Sequence, residues 1–261
     1  MNSLSVAVYS LAIDALDRLP GRRWPKHPID EKLGIETSKK IPRLFQSSGR
    51  DELDDKAVAS VGVQPSIIRK ALTYLDVGAD DVFIDLGCGR GRALIVAAEF
   101  PFRSLVGYEL YPFIAGVGRK NVAKVKLSQR VKIVESDASR PALPSEGKAV
   151  VFLYNPFQKE IVARLITHLE EHLRRTGSLC KLWIVYVNPV CFDQFDGCDL
   201  LRRYAAERVY YYDDERKCCP FHQTYDSFII YQSAPFQPPL AGADAAVKIT
   251  IPNFGADVMP A

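Results

Sequence analysis

Asp85-Leu86-Gly87-Cys88-Gly89-Arg90-Gly91 is the stretch whose residue types and spacing speak first of chemistry. It follows a short β-rich run, Val82 to Leu86, and precedes a helical pattern from Ala93 to Phe100, so it reads as strand, tight turn and helix. In an open α/β sheet, ligands enter outside the carboxyl ends of the strands, and glycines there let the backbone turn sharply and approach a ligand closely. A dinucleotide site needs Gly-x-Gly-x-x-Gly or a final Ala, and counting from Gly87 that last position is Arg92. A carboxylate at Asp85 would repel a pyrophosphate but can hold a ligand that carries a cationic amino group. The turn is suited to a cation.

Two more acidic residues recur at strand ends. Glu109 ends the next strand about 20 residues after the turn, where a carboxylate accepts hydrogen bonds from both hydroxyls of a ribose. Asp137, in Glu135-Ser136-Asp137-Ala138-Ser139, follows the third strand and is similarly placed for an adenine amino group, with Ala138 beside it. Each has a plainer reading, a solvated strand end for Glu109 and a helix cap for Asp137. Their occurrence at three successive strand ends favours one shared ligand. The match across Asp85, Gly87, Gly89 and Gly91 resembles the first motif of the class I S-adenosylmethionine-dependent methyltransferases, an acidic residue followed by spaced glycines, and the resemblance runs from about Pro65 to Gln232. It implies S-adenosylmethionine as cofactor, held by Asp85, Gly87, Cys88, Gly89, Gly91, Glu109, Asp137 and Ala138. Another nucleotide on the same architecture is the competing reading.

The fourth strand ends in Leu153-Tyr154-Asn155-Pro156-Phe157. Amino-group methyltransferases of that family place Asn or Asp, then Pro-Pro, then an aromatic residue here. The Asn oxygen and a backbone carbonyl accept bonds from a substrate NH₂ and aim its lone pair at the methyl, while the aromatic stacks on a planar group. This chain has one proline, so Phe157 arrives a residue early and the loop need not share that shape. The segment is similar to that of bacterial methyltransferase-domain proteins with Asn-Pro-Phe, and more loosely to the histone lysine methyltransferases of this fold, with Asn-Asn-Phe. The resemblance thus implies Asn155, Pro156 and Phe157 as the catalytic set and a nitrogen as acceptor atom. Protein lysine, nucleobase and small molecule all remain open as acceptors. The plainer reading is that Asn155-Pro156 ends a strand and starts a helix. A second pair, Asn188-Pro189, ends the fifth strand and reads as loop-shaping. Tyr154 and Tyr186 read as packing residues with hydroxyls near the crevice.

These residues demand a particular scaffold. Strands are expected over Val82 to Leu86, Leu105 to Leu110, Val131 to Glu135, Ala149 to Tyr154 and Leu182 to Val187, with helices opening at Pro65, Pro112 and about Lys159. The alternation implies a doubly wound, mostly parallel seven-stranded sheet with helices on both faces. Arg208 to Tyr212 and Ser227 to Gln232, with no helix-length segment between them, should close it as a terminal antiparallel hairpin. The intervening Tyr210-Tyr211-Tyr212-Asp213-Asp214-Glu215 is a candidate substrate entrance.

The ends read differently. Val6, Tyr9, Ile13 and Leu16 mark an amphipathic helix, Glu31 to Val61 an irregular polar lead-in, and residues 233–261 a proline-rich tail that adds little to the core. Residues 1–63 therefore precede a catalytic domain over 64–232. A chain of 261 residues with 48% hydrophobic and 25% charged residues buries a proper core, and a net charge of +3 gives no strong nucleic-acid signal. No transmembrane segment is apparent, and six cysteines in so long a chain suit a reducing cytoplasm. His168 with His172, and Cys218-Cys219 with His222, lack the spacing of a zinc site, so no metal is expected, and both histidines of the first pair are expected to face solvent.

Overall fold

The fold is described from a computed structural model, over residues 26–38, 62–155, 157–218 and 224–244. Strands β1 (Val82–Leu86), β2 (Ser104–Glu109), β3 (Val131–Glu135), β4 (Gly147–Tyr154) and β5 (Cys180–Val187) are followed by β6 (Leu201–Tyr210) and β7 (Tyr225–Ser233). They form one sheet in the order β3-β2-β1-β4-β5-β7-β6. The first five run parallel, while β7 inserts antiparallel between β5 and β6. The order reverses between β1 and β4, and a crevice opens outside the carboxyl ends of strands at such a point.

Helices cover both faces because the strands are apolar on both. Phe83, Phe152, Val185 and Phe228 face α2 (Pro65–Leu72) and α3 (Arg92–Ala97). Ile84, Val151, Ile184 and Ile229 face α5 (Lys159–Thr176), whose stripe of Val162, Leu165 and Leu169 is buried against them. The ring of Phe83 packs against those of Phe102 and Phe152 with centroids 5.3 and 5.8 Å away, each burial contributing on the order of 2 kcal/mol. Pro65 and Pro112 each take the first turn of a helix, α2 and α4 (Pro112–Lys124), where a missing N–H costs nothing.

Several expectations need correction. The lead-in is not wholly irregular: Pro28–Leu33 forms α1, capped by the His27 ring and ended by left-handed Gly34. The sixth strand begins at Leu201, seven residues before the expected start, and stops at Tyr210, and a short helix α7 (Asp213–Lys217) follows it. Another short helix, α6 (Phe192–Asp196), follows β5. The tail is tied down as far as Ala243: Leu240 donates its N–H to Tyr204, Arg202 lies over the Phe236 ring, and Ala243 is buried. His172 does not face solvent. It is buried under residues 141–144, and His168 Nε2 lies 2.8 Å from the Pro141 carbonyl oxygen. The expected N-terminal helix, Pro156, Cys219, His222 and residues 245–261 lie outside the described residues.

Candidate active site

Three glycines in the left-handed region build the turn after β1, with φ of +75° at Gly87, +53° at Gly89 and +83° at Gly91. Another residue would be strained by about 1 kcal/mol at each. The N–H groups of Gly87 and Cys88 both donate to the Tyr108 carbonyl at 2.9 Å, fastening the turn to β2. Neighbouring elements approach as closely as glycine permits. A Cβ on Gly118 of α4 would lie 3.2 Å from the Gly89 carbonyl oxygen, and one on Gly107 of β2 would lie 2.6 Å from Cys88 Sγ. Cys88 therefore points its side chain into the sheet, and burial keeps it a neutral thiol.

Two carboxyl groups are buried at this turn. Asp85 is 3% exposed, and its Oδ2 makes no hydrogen bond within the protein. Burial, and then the nearby Glu109, hold its carboxyl well above the usual carboxylate range. Glu109 accepts N–H from Gly89 at 2.8 Å on one oxygen and from Tyr111 at 3.0 Å on the other. Burial raises it to about 7 despite those donors. The Leu110 N–H is a third donor to the same carboxyl. Asp137, half-buried, accepts the Ser139 N–H at 2.9 Å on Oδ1, and Ala138 beside it is buried. The turn thus combines a buried carboxyl with an unsatisfied oxygen, a glycine-lined cradle and a second acid, a set that fits a cationic, ribose-bearing ligand.

On the other side of the reversal point, Asn155 stands one residue beyond Tyr154, the last residue of β4, at φ +38°. Asn tolerates this conformation because its short polar side chain bonds locally. The Tyr186 hydroxyl donates to its Oδ1 at 3.4 Å and accepts the Cys191 N–H at 3.1 Å. Burial raises the Tyr186 phenol, so it stays protonated as a donor. Tyr154 and Phe157 are half-buried on opposite faces of the sheet, Tyr154 against the α2 side and Phe157 against the α5 side. The proposed entrance divides: Tyr210 and Tyr212 are exposed, whereas Tyr211 is buried with its hydroxyl 2.8 Å from Asp226, and Glu215 is buried holding the Ser66 and Tyr212 N–H groups.

One site residue had no signal in the sequence beyond a mismatch. Arg92, buried in the first turn of α3, donates to Thr37 Oγ1 at 2.7 Å, Ser38 Oγ at 2.8 Å and the Gly62 carbonyl at 3.0 Å. Asp30 accepts from the Thr37 N–H at 2.8 Å and from both hydroxyls. Asn121 of α4 joins the same arrangement, bonding the Glu36 backbone through both its amide nitrogen and its carbonyl and reaching the Arg90 carbonyl at 3.0 Å. The glycine turn and the lead-in are therefore cross-linked by side chains from residues far apart in sequence, which no local pattern encodes.

A curated protein-lysine N-methyltransferase of Saccharolobus islandicus (strain REY15A) is 26% identical over 118 residues, which are 45% of this chain and 73% of that protein. The chain is an S-adenosylmethionine-dependent methyltransferase. The methyltransferase resembles in fold an RNA methyltransferase from Salinibacter ruber crystallised with S-adenosylhomocysteine, at 20% identity and a TM-score of 0.45 over 68% of this chain and 97% of that one. It likewise resembles the human methyltransferase 10 domain-containing protein, at 12% identity and a TM-score of 0.48 over 78% of this chain and 91% of that one. No family model matches the chain. Among the described residues, no helix is long and apolar enough to cross a membrane.

Proposed function

We propose that this methyltransferase acts on a nitrogen, and that its acceptor is an amine presented at Asn155. The observation that carries the reading is the juxtaposition across the reversal point: β1 ends beside Asp85 with an unsatisfied buried oxygen, and β4, paired to it through Leu86↔Leu153, leads two residues later to a left-handed Asn. The cofactor, when bound, supplies an electrophilic methyl group on a sulfonium. Asp85 would hold its amino group, the backbone of Gly87 to Gly91 would line it with Cys88 contributing main chain only, and Glu109 would accept from the ribose hydroxyls. Asp137 offers Oδ2 to the adenine amino group, with Ala138 as the apolar wall.

Displacement at a sulfonium needs a lone pair in line rather than a strong base. Asn155 Oδ1, oriented by the Tyr186 hydroxyl, accepts an N–H of the acceptor and fixes that line, while Phe157, after Pro156, shields it from water. The lysine specificity named for the Saccharolobus islandicus relative fits an amine. The alternative is a protein that binds the cofactor as a regulatory or interaction module on the same fold, and Asn155 separates the two.

Calorimetric titration with S-adenosylhomocysteine is the test of the cofactor half. Wild type should bind, and Asp85→Ala and Glu109→Ala should each lose at least about tenfold in affinity. Asn155→Ala should keep that affinity and lose transfer from labelled cofactor to an amine; intact turnover in that variant removes Asn155 from the reaction.

A further inference from the structure

The fifth strand repeats the ending of the fourth. β4 and β5 are paired in register to their last residues, Tyr154↔Val187, and each then continues into Asn-Pro. Both asparagines are left-handed, Asn155 at φ +38° and Asn188 at +47°, where asparagine is the least strained residue after glycine. Asn188 is anchored through its backbone, its N–H donating to the Ser227 carbonyl at 2.8 Å, which extends the ladder to β7. Its side chain is 3% exposed, yet its Oδ1 has no hydrogen-bond partner in the protein. Such an orphan is destabilising, and a turn could be shaped as well by glycine without it. A loop-shaping role explains the backbone of Asn188 but not its buried amide.

We propose that Asn188 is a second acceptor-positioning residue, and that the pair Asn155 and Asn188 selects a primary aliphatic amine of the lysine type. This rests on the reading of Asn155 given above. A neutral primary amine has two N–H bonds and one lone pair. With one N–H on each asparagine oxygen, the lone pair is left pointing away from both, toward the glycine turn. The nitrogen forms its bond to the methyl carbon as the carbon–sulfur bond breaks, the electron pair staying on sulfur, which leaves as a neutral thioether. The nitrogen becomes cationic, keeps both hydrogen bonds until transfer is complete, and then sheds one proton to water. The two carbonyl dipoles face the charge as it develops, so they stabilise the transition state more than the neutral amine. An amine already carrying one methyl has a single N–H; its methyl would meet one of the oxygens and leave it unpaired, which a site built on hydrogen bonds rejects strongly.

The preference between the two amines is the readout, because a structural role would move both alike. Transfer is measured to poly-L-lysine and to poly-L-lysine monomethylated on every side chain, together with calorimetric affinity for S-adenosylhomocysteine. Wild type should favour the unmethylated polymer by at least about tenfold in kcat/KM. Asn188→Gly, which keeps the backbone conformation, should bring that ratio to within about threefold of unity with cofactor affinity unchanged, and Asn188→Asp, which restores an oxygen, should recover it. A ratio unchanged in Asn188→Gly, or equal losses on both polymers, overturns the proposal. So does a wild type that binds S-adenosylhomocysteine but methylates neither polymer, whereas failure of the wild type to bind S-adenosylhomocysteine strikes the cofactor reading beneath it.

Discussion

In the cofactor roles proposed for them, Asp85 and Glu109 put function and stability in opposition. An anionic Asp85 is costly in its buried surroundings, which is why its carboxyl is raised, and the cost is recovered only when a cation meets it. Asp85→Asn keeps the shape and removes the charge. It should raise the thermal midpoint of the cofactor-free protein while weakening S-adenosylhomocysteine about tenfold or more; a variant that lost both would mean that Asp85 is already paired in the free protein. Glu109, raised from 4.5 to about 7, gives a second test. A carboxyl with a raised value contributes its stability fully below its unfolded value and loses it as pH rises through about 7, so this group makes the free protein less stable at pH 8 than at pH 5. On the reading proposed for Glu109, ligand binding runs the other way, because the carboxylate is the better acceptor for ribose hydroxyls. Affinity for S-adenosylhomocysteine should fall by up to about tenfold per pH unit below about 7, and the slope should be shallower in Glu109→Gln.

At the scale of elements, the cofactor cradle is a matter of clearance between β2, α4 and the turn. A methyl group on Gly107 would lie 2.7 Å from Cys88 Cβ and 2.6 Å from Leu94 Cδ1, and a rotation of Cys88 relieves only the sulfur contact. Gly107→Ala should cost about 2 kcal/mol in denaturant unfolding, and a neutral result would show that the turn can shift off the strand. The elements that make this cradle were legible because their signals are local. Val82–Leu86 and Val131–Glu135 are apolar runs bounded by turn residues, and the expected limits agree with β1 and β3. The first half of β6 was not, since Leu201 to Glu207 contains Ala205-Ala206 and no clean alternation; pairing with β7 makes it a strand against its own propensity. His172 misled for a related reason. Its helix face is covered by residues 141–144, a loop contact that helix periodicity does not encode.

For the molecule as a whole, the lead-in belongs to the catalytic unit through Arg92. In the sequence that residue could be read only as a departure from the dinucleotide pattern; in space its guanidinium binds Thr37, Ser38, Gly62 and Val63 together. Removing a buried charge with that many partners costs about 3 kcal/mol. Arg92→Met should therefore lower the melting temperature by several degrees, while the pairing of β1 with β4 persists; a full-strength thermal midpoint would show that the lead-in docks by other means.

The strand order also sets a schedule for the growing chain. Among the described strands β6 pairs with β7 alone, and β7 is the last of them to be made, yet it must slot between two earlier ones. Until Ser233 has emerged, the outer edge of β5 is an open row of backbone donors and acceptors, Val185 and Val187 have no neighbour on that side, and β6 has nothing to pair with. The half of the sheet that carries the glycine turn can close first, before the β5 side is complete. Nascent chains paused between Tyr210 and Tyr225 would thus be the form most prone to stick to one another.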